Sequence, residues 1–110
     1  MPGTFHRVAA AVPERLPAVL DVDGSEVVLF RVDDRYYAVG RWCPHRGADL
    51  QQGNCLGTQV KCPHHGFTFD LASGTGISHP GLDVNAYEVR VEPDGLYLRR
   101  RLRSAPSVWG

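Results

Sequence analysis

Two short segments in the middle of the chain carry residue types that bind metals through sulfur and nitrogen. Residues 43–47 read CPHRG and residues 62–66 read CPHHG, and sixteen residues separate His45 from Cys62. Thiolate sulfur and imidazole nitrogen are ligands of zinc and of iron–sulfur centres. The near-repeat therefore predicts one four-ligand metal site that is built from both segments.

A purely structural interpretation is also available, in which Cys43 and Cys62 are small buried hydrophobic residues and the histidines lie on the surface. Two segments that match this closely would not be expected from unrelated structural residues. The usual zinc-finger arrangement places two cysteines in one loop and two histidines on a helix. Here each segment carries both residue types, and no window of ten or more residues follows a helical period.

Short strands are predicted to hold these segments in place. The dipeptides Asp23-Gly24 and Asp94-Gly95 lie between apolar runs and are typical of hairpins, and Gly53-Asn54 indicates another turn. The predicted strands are residues 5–9, 16–22, 27–32, 36–39, 59–61, 67–70, 84–91 and 96–99. Their spacing predicts an all-β fold, a small antiparallel sandwich or barrel, with a loop-rich middle region at residues 41–82.

Size and charge exclude several classes of protein. The chain has 110 residues, which is the size of one domain, and twelve Lys and Arg balance twelve Asp and Glu. A neutral chain gives no support for nucleic-acid binding. No apolar run approaches the roughly 18 residues that would span a membrane. An odd number of cysteines argues against a disulfide framework, so we expect a cytoplasmic protein. Because the chain is neutral and has no long apolar run, we expect no nucleic-acid partner and no membrane partner.

The pattern Cys43-x-His45, sixteen residues, Cys62-x-x-His65 resembles that of the Rieske family, in which both loops also end in glycine. The flanking strands and the closing hairpin at residues 87–97 are similar to those of the family as well. The resemblance implies a single Rieske domain at residues 1–104, with a barrel or sandwich base, a cluster-binding subdomain at about 41–82, and a flexible tail at 105–110.

The resemblance also implies the cofactor, one [2Fe–2S] cluster, with Cys43 and Cys62 on one iron and His45 and His65 on the other. Position 64 leaves an alternative open. The internal near-repeat aligns His64 with His45, whereas the family pattern assigns the ligand to His65, and we favour His65.

Neighbouring residues set the expected reduction potential. High-potential respiratory members of the family carry a disulfide between the two loops and hydroxyl donors just after the second loop. In this sequence Ala48 and His64 occupy the positions of the two disulfide cysteines, and Phe67 and Phe69 occupy the positions of the two hydroxyl donors. Without those donors the reduced cluster is less stabilised, which predicts a potential at the low end of the family range of about −150 to +300 mV.

The resemblance implies a function without catalysis by the domain itself. The chain is similar to the ferredoxins that take one electron from a flavin-dependent reductase and deliver it to a terminal Rieske oxygenase, and we expect it to act as a monomer. One alternative is the small subunit of a nitrite-reductase-like complex. Another, from a different class, is a zinc-bound structural or adaptor module, and a small sensing protein is a third.

The remaining chemical residues carry weaker expectations. Cys55 is interpreted as a half-buried thiol in a turn, and Trp42 as part of the core or of the packing around the cluster. Arg41 and Arg46 are candidates for orienting an acidic partner. Residues 78–81, which include His79, resemble the family's third loop that shields the cluster. The arginine-rich run at residues 99–103 is interpreted as an exposed tail.

Overall fold

Nine short strands and one 3₁₀ turn make up the regular structure of the described part of the chain. The computed structural model describes residues 4–44, 47–63 and 66–101. The strands are β1 His6–Ala9, β2 Ala18–Val22, β3 Ser25–Val32, β4 Arg35–Gly40, β5 Asn54–Leu56, β6 Gln59–Lys61, β7 Thr68–Asp70, β8 Ala86–Glu92 and β9 Gly95–Arg100, and the 3₁₀ turn is Leu50–Gln52. Within this part of the chain, no helix has the length and apolar composition needed to cross a membrane.

The strands form two antiparallel sheets. Six strands lie in the order β1-β9-β8-β4-β3-β2, and contact between the outer strands β1 and β2 nearly closes this sheet into a barrel. The other three strands form a small sheet in the order β5-β6-β7, which carries the second metal-binding segment between β6 and β7. The predicted all-β antiparallel fold is confirmed. The predicted domain and subdomain boundaries stay predictions, and the tail at 105–110 lies outside the described residues.

Strand β3 joins the two halves of the molecule because it is buried on both faces. Val27 and Leu29 point into the barrel, where they pack with Leu96 and Leu98. Side chains alternate along a strand, so Val28 and Phe30 point the other way. They pack with Val60, Phe69 and both metal-segment cysteines. This double burial explains why residues 27–30 are continuously apolar rather than alternating, and it fixes the small sheet against the barrel.

Tight turns set the register of the hairpins. Asp23 and Gly24 both have positive φ, at 52° and 89°, between paired Val22 and Ser25. Two positive φ angles give the turn the twist that matches the flanking strands, so the predicted hairpin at this dipeptide is confirmed. The closing hairpin is confirmed as well, although its turn is Pro93-Asp94 and Gly95 already pairs with Glu92.

Two local expectations need correction. Of the turn predicted at Gly53-Asn54, Gly53 ends the 3₁₀ turn but Asn54 already begins β5, and the hairpin turn of the small sheet lies at Gly57-Thr58. The arginine-rich run is not an exposed tail at its beginning. Arg99 lies in β9 and pairs across the sheet with Glu88, to which its Nη2 donates at 2.9 Å. Arg103 lies outside the described residues.

Candidate metal centre

The two metal-binding segments are loops of the same length that are closed by the same backbone hydrogen bond. The amide of Cys43 donates to the carbonyl of Ala48 at 2.8 Å, and the amide of Cys62 donates to the carbonyl of Phe67 at 2.6 Å. The residue before each acceptor is a glycine in the left-handed region, with φ of 69° at position 47 and 70° at position 66. At the ends of the loops that the structure describes, the near-repeat of the sequence is therefore also a repeat of backbone geometry.

Both loop cysteines are brought into one buried cluster of side chains. Cys43 is 2% exposed and Cys62 is 1% exposed, and both pack in the core between β3 and the small sheet. Neither forms a disulfide. Two buried sulfur donors at equivalent positions of paired loops fit a centre that takes two thiolates and two imidazoles.

The histidine positions 45, 64 and 65 lie outside the described residues, as does Arg46. Within residues 4–44, 47–63 and 66–101, no three side chains of Cys, His, Asp or Glu gather at one point. Two of the four predicted ligands fall in the gaps between these ranges. The assignment of Cys43, His45, Cys62 and His65 therefore stays a prediction.

Arg41 ties the end of β4 to the segment that follows the first loop. Its Nε and Nη2 donate to the two carboxylate oxygens of Asp49 at 3.1 and 2.9 Å, and its Nη1 donates to Glu26 at 2.7 Å. A backbone bond from the amide of Leu50 to the carbonyl of Arg41, at 2.8 Å, reinforces this connection. Two carboxylates already neutralise the guanidinium, so the expectation that Arg41 offers its charge to a partner is corrected.

Trp42 is exposed rather than part of the core, which overturns the expectation of core packing. Its side chain is 48% exposed, although Cys43 beside it is buried. The indole Nε1 donates to Glu26 at 3.3 Å, and the Arg41 guanidinium lies 4.5 Å from the ring centroid. Burying the neighbouring cysteine turns this side chain outward, where the Glu26–Arg41 pair holds it.

The Arg41–Asp49 pair predicts acid sensitivity at the first loop. The hydrogen bond from Arg41 holds the pKa of the Asp49 carboxyl below its ordinary value, with the amide of Gln51 contributing. A lowered folded-state pKa contributes stability above the unfolded value of about 3.9, and that stability is lost as pH falls through the folded value. We expect Asp49→Asn to melt below the wild type at pH 7 and the difference to shrink below about pH 4. Thermal melts across pH check this, and a difference that is constant from pH 7 to pH 2 would contradict it.

The hairpin of β6 and β7 positions the second loop. Val60 pairs with Phe69 and Lys61 pairs with Thr68, so the loop at 62–67 bridges the ends of two hydrogen-bonded strands. Phe69 is fully buried among the side chains that include both loop cysteines. Its ring brings no hydrogen-bond donor to this cluster, and the low reduction potential stays a prediction.

Phe69→Tyr is expected to raise the reduction potential of the metal centre. A hydroxyl placed here adds a donor that stabilises the more negative reduced state more than the oxidised state. Phe5→Tyr is the control, because Phe5 lies beneath Arg90 and Arg99, outside the cluster of side chains that contains the two cysteines. Protein-film voltammetry of both variants checks the prediction. An unchanged potential in Phe69→Tyr, or an equal rise in both, would remove the argument from neighbouring donors.

Residues 77–79 pack against the second loop. The amide of Ile77 donates to the carbonyl of Thr68 at 2.7 Å, and the amide of Thr68 donates to the Ser78 hydroxyl at 2.9 Å. The His79 ring stacks on Phe67 with a centroid separation of 3.7 Å and an interplanar angle of 4°. The segment therefore lies over the residue that closes the second loop. Sequence analysis placed the segment near the site but missed the contribution of Ser78, for which the sequence carries no signal.

Cys55 differs from the two loop cysteines in its position and its exposure. It lies in β5, the edge strand of the small sheet, and it is exposed. The expectation of a turn is therefore wrong, whereas partial burial, which raises the pKa of the Cys55 thiol, agrees with a half-buried side chain. No role in the metal centre is supported for it.

Comparison with known families and relatives adds an independent line of support. The model of the Rieske [2Fe-2S] domain matches residues 6–89. Ferredoxin CarAc of Metapseudomonas resinovorans is 30% identical over 98 residues, which are 88% of this chain and 81% of the relative. Apoptosis-inducing factor 3 of Homo sapiens is 32% identical over 81 residues, but the chain spans only 13% of its length.

Solved structures give the same picture over nearly the whole chain. The ferredoxin of carbazole 1,9a-dioxygenase from Nocardioides aromaticivorans superposes with a TM-score of 0.71 and 30% identity, covering 91% of this chain and 99% of the other. A chain of the complex of reduced oxygenase and oxidized ferredoxin in carbazole 1,9a-dioxygenase superposes with a TM-score of 0.74 and 26% identity. This superposition covers 90% of this chain and 97% of the other. The putative NADH-dependent nitrite reductase small subunit from Mycobacterium tuberculosis superposes with a TM-score of 0.71 and 29% identity, covering 93% of this chain and 98% of the other.

Proposed function

Since this chain belongs to the Rieske [2Fe-2S] domain family, we propose that it is a one-electron carrier between a flavin-dependent reductase and a terminal oxygenase. The cofactor of the family is one Rieske-type [2Fe–2S] cluster, which stores and releases a single electron when bound. Cys43, His45, Cys62 and His65 would hold it. The domain is not catalytic by itself in this proposal.

The observation that carries the proposal is the pair of matched loops. Each presents a buried cysteine at the same position of a loop closed by the same hydrogen bond. The family places one cysteine and one histidine on each loop, and each of the two segments of this sequence contains both residue types. The aromatic side chains of Phe67 and Phe69 and the aliphatic Leu71 pack with both cysteines and exclude water from the sulfur side of the site.

The choice of partner rests on the relatives. Coverage of nearly the whole of both chains links this domain to ferredoxins of dioxygenase systems, and one of them is in a complex with its oxygenase. Electron-transfer encounters bury small areas, under about 1,200 Å² in total, so we expect transient contacts and a monomeric carrier. The reductase, the monomeric state and the cytoplasmic location stay predictions.

Electron paramagnetic resonance of the freshly purified protein after anaerobic reduction with dithionite tests the proposal. We expect a rhombic signal with an average g value below that of all-cysteine clusters, because two imidazoles replace two thiolates. Cys55→Ser is the matched control, since it removes the thiol outside both loops and should leave the signal unchanged. A silent sample that holds stoichiometric zinc, and that iron and sulfide fail to reconstitute, would leave a structural or adaptor module instead.

A second candidate function is that of a small subunit in a nitrite-reductase-like complex. The similarity to the nitrite reductase small subunit named above favours it, because that superposition covers 93% of this chain. Both candidates place the same cluster in the same loops, so spectroscopy does not separate them. Stable co-purification with a haem-containing partner would favour the subunit, and a chain that purifies alone would favour the carrier.

A further inference from the structure

A polar pocket of about 220 Å³ opens at one end of the barrel. Its polar walls come from the ends of β1, β3, β8 and β9 and include His6, Asp23, Ser25, Asn85, Tyr87 and Arg100. The carbonyl of Asn85 accepts a bond from the amide of Gly40 at 2.8 Å. Gly40 lies three residues before Cys43, so the pocket is at the end of the barrel from which the first loop departs.

Tyr87 brings a hydroxyl to this pocket. The residue is 6% exposed, and its ring packs inside the barrel with Leu96 and Leu98. The hydroxyl makes no hydrogen bond to any residue that the structure describes, and its oxygen is accessible from the pocket. It is therefore free to donate to a group that enters the pocket. Burial raises the pKa of Tyr87, so the hydroxyl keeps its proton at neutral pH.

Arg100 brings a positive charge to the same place. It pairs directly with Tyr87 across β8 and β9, so the two side chains share one face of the sheet. Its Nη2 donates to Asn85 Oδ1 at 3.1 Å. Arg100 forms no ion pair within the described ranges, whereas the preceding Arg99, on the opposite face, is paired with Glu88. A guanidinium with unused donors thus stands beside an unused hydroxyl.

We propose that this pocket binds a carboxylate group, with the Arg100 guanidinium and the Tyr87 hydroxyl donating to its oxygens. The planar guanidinium fork matches the two oxygens of a carboxylate. Asp23 also lines the pocket and adds a negative charge, which favours a singly charged carboxylate over a phosphate that is nearly doubly charged. The pocket is smaller than the roughly 300 Å³ of ordinary ligand sites, so the occupant is the size of acetate or of an acidic side chain.

This carboxylate site does not depend on the electron-carrier function proposed above. The carboxylate has two possible sources, a free small acid or an Asp or Glu side chain of a docked protein. Titration of the cluster-loaded protein with sodium acetate, balanced with chloride to constant ionic strength, tests for the shared chemistry. The signals to follow by nuclear magnetic resonance are the Arg100 Nε–H and the backbone amides of Tyr87 and Arg100.

A second titration with the blocked peptide acetyl-Gly-Glu-Gly-amide distinguishes the two sources. Saturable shifts with both acetate and the peptide mean that the pocket accepts a carboxylate carried on a protein chain. Shifts with acetate alone mean that it accepts only a free acid. Shifts with neither, or shifts that chloride reproduces, would overturn the proposal.

Three variants test the assignment of donors. Arg100→Gln is expected to weaken acetate binding about tenfold, because it removes a charge-assisted hydrogen bond, and Tyr87→Phe to weaken it by a smaller factor. Arg35→Gln is the matched control, since it removes the same charge from an exposed position on the β3–β4 hairpin. Equal acetate affinity in Arg100→Gln and wild type would refute the site. The visible absorption of the cluster, read in the same samples, reports separately on the proposed carrier function.

Discussion

Substitution of His65 by alanine is expected to abolish incorporation of the iron–sulfur cluster, whereas substitution of His64 is expected to leave the cluster in place. The internal near-repeat of the sequence equates position 64 with position 45, because each lies two residues after its cysteine. The family pattern instead assigns the second imidazole to the residue directly before Gly66. Iron should fall from about two atoms per chain to nearly none in His65→Ala.

Iron and acid-labile sulfide analysis, together with the visible absorption spectrum, measures this outcome. Cys62→Ser provides the reference for a lost ligand, because Cys62 is buried in the core with Cys43. Retention of full iron by His65→Ala together with its loss from His64→Ala would transfer the ligand assignment to position 64. Far-ultraviolet circular dichroism of each variant separates the loss of a ligand from the loss of the fold.

Gly74→Ala is expected to cost about 4 kcal/mol or more of folding free energy, which places it among the most damaging single substitutions in this chain. Gly74 has a φ of 79°, and a Cβ atom at this position would overlap the carbonyl oxygen of Val84. That oxygen belongs to the backbone, so no side-chain rearrangement relieves the clash. The Val84 amide in turn donates to the Gly74 carbonyl at 2.9 Å, which ties the turn after β7 to the segment that leads into β8.

Gly81→Ala is the matched control for this substitution. Gly81 also has a positive φ, at 97°, but a Cβ atom there would meet nothing within 4 Å. The control therefore carries only the conformational cost of a left-handed alanine, on the order of 1–2 kcal/mol. Chemical denaturation of both variants measures the difference between them. Equal losses would show that the backbone near Val84 moves to accommodate a methyl group.

The sequence predicted the loops well because their signal is local. Cys43 and Cys62 each precede a proline and lie four residues before a glycine. This spacing can be read from the sequence without knowing how the rest of the chain folds. Hairpin positions were also predictable where a turn requires positive φ, as at Asp23-Gly24. The continuous apolar run at residues 27–30 indicated a strand. Its burial on both faces could not be predicted from the run, because the small sheet that covers one face comes from residues 54–70.

Other features depend on long-range contacts and left no local pattern. Strand β5 has three exposed residues, so neither apolar alternation nor length distinguishes it from a loop. The outward Trp42 side chain is held by a hydrogen bond to Glu26, sixteen residues earlier, and the neutralisation of Arg41 requires Glu26 and Asp49 together. Propensity and periodicity describe neighbours in sequence, and they carry no information about which carboxylate a guanidinium will meet.

The Ser78 hydroxyl links the second loop to the His79 ring. It accepts the amide proton of Thr68, and its oxygen lies 2.8 Å from His79 Nδ1. A hydroxyl has one proton and two acceptor lone pairs, so this bond forms with either tautomer of the ring. In both tautomers the bond occupies Nδ1 and leaves Nε2 as the ring nitrogen that can bond to the solvent or to a protein that approaches the stacked Phe67 and His79 rings.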